Sequence, residues 1–204
     1  MAMFPLSTVL FPDTELALQV FEPRYQSLTE DCLAGSGEFG VVLIARGSEV
    51  GGGDQRVGVG TVAHIEQASP HGAGRWTLVT KGTRRIRVTK WLADDPYPLA
   101  TVEDLPGVAS GGDEAAVGRA LSAVRRTRGL LSELGRAPAL PGAFELGDGL
   151  DAAAWRLCAL APLSVFDRQA LLEVGDPTAR LDELIGLCGA LDEDLTALLA
   201  EGLS

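Results

Sequence analysis

A chain of 204 residues, 46% hydrophobic and 22% charged, is long enough to bury a core without staples and has the profile of an ordinary globular protein. Its formal net charge of −11 argues against a principal task of gripping nucleic-acid phosphates, which relies on clustered lysine and arginine. No apolar run approaches the roughly 18 residues of a membrane span, and the opening MAMFPLSTVLFP has no basic leader and meets Pro5 and Pro12 early, so the reading is a cytoplasmic chain without membrane association.

Val9 to Phe11 and Leu16 to Phe21 read as two short strands. The second alternates Leu16, Leu18 and Val20 on one face with Ala17, Gln19 and Phe21 on the other, and Pro12-Asp13 supplies the turn between the two strands. Glu22-Pro23 opens a helix, because proline is tolerated where its missing N–H would be unpaired in any case. Tyr25, Leu28, Cys32 and Leu33 share one face of that helix, and Gly35 is placed to end it. Phe39 to Ala45 is a continuous apolar run suited to a buried strand, and Gly47 to Gln55 reads as a flexible hairpin or loop.

Arg56 to Glu66 resumes as a strand in which Gly58 and Gly60 mark a bulge or close backbone approach. Ser69 to Gly74 reads as a loop, and Arg75 to Trp91 as two alternating segments joined near Lys81-Gly82. A last strand runs from Leu99 to Glu103. Six or seven short strands with one early helix imply a small closed or half-closed antiparallel barrel. VASGGDE, Val108 to Glu114, marks a boundary, beyond which the hydrophobic period switches from two to 3.6. Four helices follow: Ala116 to Leu134, Asp151 to Ala161, Ser164 to Val174 with Ser164 as N-cap and Asp167 at its third position, and a last one opened by Asp176-Pro177. A surface loop, Arg136 to Gly149, lies between the first two. The expected fold class is therefore α+β, a barrel over residues 1–108 and a helical subdomain over 112–204, packed as one unit.

Particular motifs recur along this framework: Pro5-Leu6 followed by Val9-Leu10-Phe11-Pro12, then Phe21-Glu22-Pro23-Arg24-Tyr25, Gly60-Thr61-Val62-Ala63-His64-Ile65, and Gly82-Thr83-Arg84-Arg85-Ile86-Arg87-Val88. PYPLATVEDLP follows from Pro96 to Pro106. In the helical half Pro162-Leu163-Ser164, Gln169, Leu171-Leu172-Glu173, Asp176, Arg180-Leu181 and Leu184 keep a second pattern. Both blocks, in this order, resemble the Lon N-terminal domain, the substrate-engaging module at the front of ATP-dependent Lon proteases that also occurs without them. The resemblance implies a PUA-like barrel with an appended helical part, a stand-alone module, and a function in recognising polypeptide, either a partner or an unfolded segment, in a groove or along an exposed sheet edge.

Catalytic chemistry is not indicated. A Walker A loop would set a lysine and Ser/Thr behind a glycine-rich turn, and neither Lys81 nor Lys90, the two lysines, sits so. Neither is placed for a Ser-Lys dyad, no dinucleotide fingerprint is present, and no cofactor is implied. His64 and His71 have no nucleophile or carboxylate tied to them by spacing. Cys32, Cys158 and Cys188, an odd number without metal-ligand spacing, read as buried free thiols of a reducing compartment.

Two groups remain as candidate sites. Glu22, Arg24 and Tyr25 form either a contact surface or a structural clasp at the start of the first helix. Arg75, Lys81, Arg84, Arg85, Arg87 and Lys90 give +6 without an intervening acid, while residues 139–204 hold 12 acids against three arginines. The strip serves either electrostatic docking and solvation or, as the alternative to polypeptide recognition, an RNA-binding face in which Arg85 and Arg87 alternate along one side of a strand.

Overall fold

The computed structural model describes residues 1–46, 55–107, 113–142 and 144–202. The loop expected from Gly47 to Gln55 and the boundary segment from Val108 fall largely outside the described residues. The chain divides into two compact units, Met1–Pro106 and Gly107–Ser204.

The first unit is a six-stranded mixed sheet with one helix. Its strands are β1 (Met3–Leu6), β2 (Glu15–Val20), β3 (Glu38–Arg46), β4 (Gln55–His71), β5 (Arg75–Trp91) and β6 (Ala100–Leu105), with α1 (Pro23–Ala34) between β2 and β3. The strand order is β1-β3-β4-β5-β2, and β6 also pairs β5. All pairings are antiparallel except β1 on β3, where Met3 to Leu6 lie parallel to Gly40 to Leu43. The sheet is therefore mixed, not antiparallel throughout, and it is not a closed barrel: among the described residues, β1 and β6 form no ladder with each other, and beside them stands the isolated bridge of Ala2 with Leu99.

Several sequence expectations are corrected here. The first strand is Met3–Leu6, whereas Val9 to Phe11 is buried but not a strand. Long-range hydrogen bonding explains the difference. Thr61 Oγ1 donates to the Leu10 carbonyl at 2.6 Å, Asp13 N–H to the Gly82 carbonyl and Gly82 N–H to the Thr14 carbonyl, both at 2.9 Å. The 10–14 segment is thus held by bonds to two other strands without a ladder of its own.

The segments on either side of Lys81-Gly82 form one 17-residue strand, and the loop expected from Ser69 contracts to a turn at 72–74, since β4 continues to His71. Gly82 is needed for proximity, not for turning: a Cβ there would lie 2.2 Å from the Phe11 carbonyl oxygen. Gly60 has the same role, 2.2 Å from the Val41 carbonyl oxygen, whereas Gly58 has nothing within 4 Å and marks no close approach.

α1 begins as its sequence dictates, with Pro23 in the first turn after Glu22. It buries Tyr25, Leu28, Thr29 and Cys32, while Leu33 is exposed on the other side. Tyr25, Leu28 and Cys32 complete a core with Phe4, Leu6, Leu18, Val20, Phe39, Val41 and Leu78. Burying a large apolar side chain contributes about 1.5–3 kcal/mol, so this core is a principal source of the stability that joins α1 to the sheet.

The second unit comprises α2 (Glu114–Glu133), α3 (Gly149–Leu160), α4 (Val165–Glu173) and α5 (Pro177–Gly202). Side chains cap three of them: Asp113 Oδ1 accepts from Ala116 N–H at 2.9 Å, Ser164 Oγ from Asp167 N–H at 3.2 Å and Asp176 Oδ1 from Ala179 N–H at 2.8 Å. The packed stripe of α2 is Ala116, Ala120, Val124 and Thr127; arginines of its RRTR run tie down the following loop through Arg125 to the Gly142 carbonyl and Arg128 to the Pro138 carbonyl, and Arg128 also donates to the Leu160 carbonyl at the end of α3. In α5, Leu181, Leu184, Cys188 and Leu195 are buried as their spacing predicts, but Leu198 is exposed.

Arg180 is the most unusual buried residue, at 0% exposure. Its guanidinium donates to Asp151 Oδ1 at 2.8 Å and to the Val174 and Gly175 carbonyls, and lies 3.2 Å from the centroid of the Trp155 ring. Burial lowers its pKa, with Asp151 acting in the opposite sense. One side chain thus terminates α4 and joins α3 to α5.

Candidate binding edge of the sheet

β2 is the end of the sheet path: β5 pairs one side of it, and among the described residues no strand pairs the other. Such an edge presents unpaired backbone N–H and C=O groups that can template another strand. Its side chains alternate. Leu18 and Val20 point into the core, whereas Glu15, Ala17 and Gln19 are exposed.

Two depressions flank this strand. The inner one, about 260 Å³, is lined by Phe4 and Leu6 of β1, by residues 17–21 and by Glu22 and Tyr25 at the start of α1. The outer one, about 630 Å³, is lined by Gln19, Val20, Phe21, His71, Arg75 and Thr77. On that outer face Thr77 Oγ1 donates to Gln19 Oε1 at 3.1 Å and is 2.7 Å from His71 Nε2, a polar row crossing three strands. Phe21 lines both depressions and is 58% exposed, a large apolar side chain left in water just past the end of an edge strand.

The three residues singled out at the head of α1 lie beside this edge. Arg24 Nε donates to Glu22 Oε2 at 3.1 Å, and its guanidinium stands 4.5 Å from the centre of the Tyr25 ring. Tyr25 is 3% exposed and stacks on Phe4, with centroids 3.9 Å apart and planes 8° from parallel. Within the fold they form a clasp from α1 to β1, and Glu22 and Tyr25 also wall the inner depression.

The basic strip is not gathered into one surface. Arg84 donates to both oxygens of Glu38, at 2.8 and 3.1 Å, and to Asp104; its hydrogen bond to Glu38 is the main cause of its raised pKa. Arg87 pairs Glu103 at 3.4 Å, Lys81 lies 3.7 Å from Asp13, and Arg85 is buried at 5% exposure. Arg75, at the start of β5, makes no ion pair among the described residues.

Phe21 was within reach of sequence reasoning. It follows Val20, the last residue of β2, at a position where the alternation of that strand calls for a polar side chain, and that mismatch was the available signal. Nothing local, however, shows that β2 would have a free edge. His64 is exposed on β4, and His71 belongs to the polar row, with its Nε2 2.7 Å from the Thr77 hydroxyl. No group of metal-ligating side chains occurs among the described residues, and no described helix is long and apolar enough to cross a membrane.

Comparison with known proteins decides the family. The family model described as the ATP-dependent protease La (LON) substrate-binding domain matches residues 1–188, across both compact units. The chain belongs to the Lon substrate-binding domain family. Lon protease 2 of Sorangium cellulosum (strain So ce56) is 30% identical over 189 residues, covering 90% of this chain and 23% of that protein. Lon protease 2 of Herpetosiphon aurantiacus is 30% identical over 183 residues, 88% of this chain and 22% of its own length. The chain thus spans less than a quarter of the length of these curated relatives.

Solved Lon N-terminal domains share the fold. The Lon N-terminal domain protein from Xanthomonas campestris superimposes with a TM-score of 0.68 at 29% identity, covering 91% of this chain and 96% of that one. The N-terminal domain of the Mycobacterium avium complex Lon protease gives 0.62 at 19% identity, covering 92% and 97%, a likeness of fold alone.

Proposed function

We propose that this chain is a non-catalytic polypeptide-recognition domain that binds an extended segment by strand addition along β2. The observation that carries the reading is the coincidence, at one strand, of an unpaired edge, an apolar depression and, one residue beyond its end, the exposed Phe21 ring. In strand addition the main-chain hydrogen bonds supply affinity and pockets for alternate side chains supply selectivity. A volume of about 260 Å³ suits a side chain or two better than a free small molecule, whose sites run to about 300–1,000 Å³. The family's description as a substrate-binding domain agrees with such a role.

The strip from Arg75 to Lys90 supports the RNA-binding alternative less well. Glu38, Asp104, Glu103 and Asp13 already neutralise Arg84, Arg87 and Lys81, so few free cations are left to release phosphate counterions.

The test is binding of a permanently unfolded, alkylated model protein, followed by fluorescence anisotropy, to the native chain and to Phe21→Asp. An interface anchor of this kind is worth about 2 kcal/mol, so affinity should fall about thirty-fold. Phe21 is exposed, so the urea transition should move little. Undiminished binding by Phe21→Asp would overturn the assignment to β2.

A further inference from the structure

The two depressions beside β2 differ in chemistry, and they serve opposite faces of any strand added there. Successive side chains of a strand point to opposite faces. A segment pairing with the free edge of β2 therefore directs alternate side chains into the inner and outer depressions. The inner one is walled by Phe4, Leu6, Leu18, Val20 and Tyr25, and its one carboxylate, Glu22, is held by Arg24. It suits an apolar side chain and disfavours an acidic one. The outer one has a polar floor of Gln19, Thr77 and His71, holds no carboxylate in its lining, and contains Arg75 without an ion pair among the described residues. In a chain of net charge −11, whose other strip cations are largely matched by acids, a cation facing an acid-free cleft is locally complementary to negative charge.

We infer that the preferred ligand is an extended segment in which apolar residues alternate with acidic ones, the apolar side chains entering the pocket beside Tyr25 and a carboxylate side chain pairing with Arg75. The inference rests on strand addition along β2. It adds a sequence preference to that reading, and it makes Arg75 a specificity determinant, not a source of bulk affinity. β2 has six residues, which bounds the paired length and places about three ligand side chains on each face.

The experiment uses the full chain and three C-terminally amidated, fluorescently labelled peptides in which leucine alternates with Glu, Gln or Lys. Anisotropy titrations at low salt should rank them Glu over Gln over Lys, with steps of up to about five-fold, the upper range for an exposed ion pair. Added salt should compress the ranking. Arg75→Glu should reverse the order and Arg75→Gln should flatten it, and Arg75 is exposed at the turn, so both variants should fold. A Gln peptide with a free C-terminus serves as the control for the source of the carboxylate. A gain confined to that peptide would assign the pairing to a chain end and overturn the side-chain assignment. Equal binding of all three amidated peptides, or a ranking that survives Arg75→Glu, would overturn the preference while leaving strand addition intact. Failure of every peptide to bind would overturn both.

Discussion

Gly82→Ala isolates the contact that positions the candidate edge. The added Cβ would stand 2.2 Å from the Phe11 carbonyl oxygen, 3.0 Å from its carbon and 3.2 Å from Leu10 Cγ. Two of these three atoms are backbone, so no side chain can rotate out of the way, and β5 must part from the 10–14 segment by about an ångström. Overpacking of this kind costs about 1–3 kcal/mol. The displacement also strains the paired bonds Asp13 N–H to Gly82 O and Gly82 N–H to Thr14 O, each 2.9 Å and each worth about 0.5–1.5 kcal/mol net. The expected loss is about 2–5 kcal/mol. Because that segment leads directly into β2, amides of β2 should lose hydrogen-exchange protection ahead of those in the centre of β4. Gly58→Ala, with nothing within 4 Å, is the matched control and should be neutral or slightly stabilising. Urea denaturation of both variants measures the difference. A loss below about 1 kcal/mol for Gly82→Ala, or equal losses at the two glycines, would refute the argument that a close backbone approach is why glycine stands at position 82.

Two further outcomes follow from buried groups. Asp151→Asn removes the charged partner of Arg180, whose other partners are two carbonyls and the Trp155 ring; breaking a buried pair costs about 3–5 kcal/mol, but the Asp151 side chain is half exposed, so about 1–3 kcal/mol is expected in a urea melt of the helical unit, and no loss would show the pair to be incidental. Burial pushes the thiols of Cys32 and Cys158 up to about 11 and about 12, which leaves about one part in a thousand or less as thiolate at pH 8, so native protein should react with a disulfide reagent orders of magnitude more slowly than protein in denaturant. Rapid native labelling of Cys158 would contradict the packing of α3.

Much of the local structure was legible because its causes lie within a few residues. Pro23 at the head of α1, Ser164 with Asp167 at α4, Asp176 with Pro177 at α5 and the heptad-like stripe of Leu181, Leu184 and Cys188 are set by capping and by helical periodicity, which need no distant partner. The two blocks of family motifs were readable for a similar reason, since they are patterns of residue type and spacing along the chain.

The candidate site depended on partners far away in sequence. Arg84 and Glu38 are 46 residues apart, so three members of a run of six cations without an intervening acid in sequence, Lys81, Arg84 and Arg87, find acidic partners only when the strands are gathered into one sheet. The run from Val9 to Phe11 has a strand's composition, yet Thr61 and Gly82 hold it as a buried connection, while Met3–Leu6, interrupted by Pro5, takes a parallel place beside β3. The amino-acid sequence by itself determined the helices, the caps of α4 and α5, the alternating faces of β2 and the family. Tertiary structure alone decided that β2 ends the sheet with one side unpaired, that the two faces of that edge meet different chemistry, and that Phe21 remains in water, because a strand becomes an edge only through the pairing choices of all the other strands.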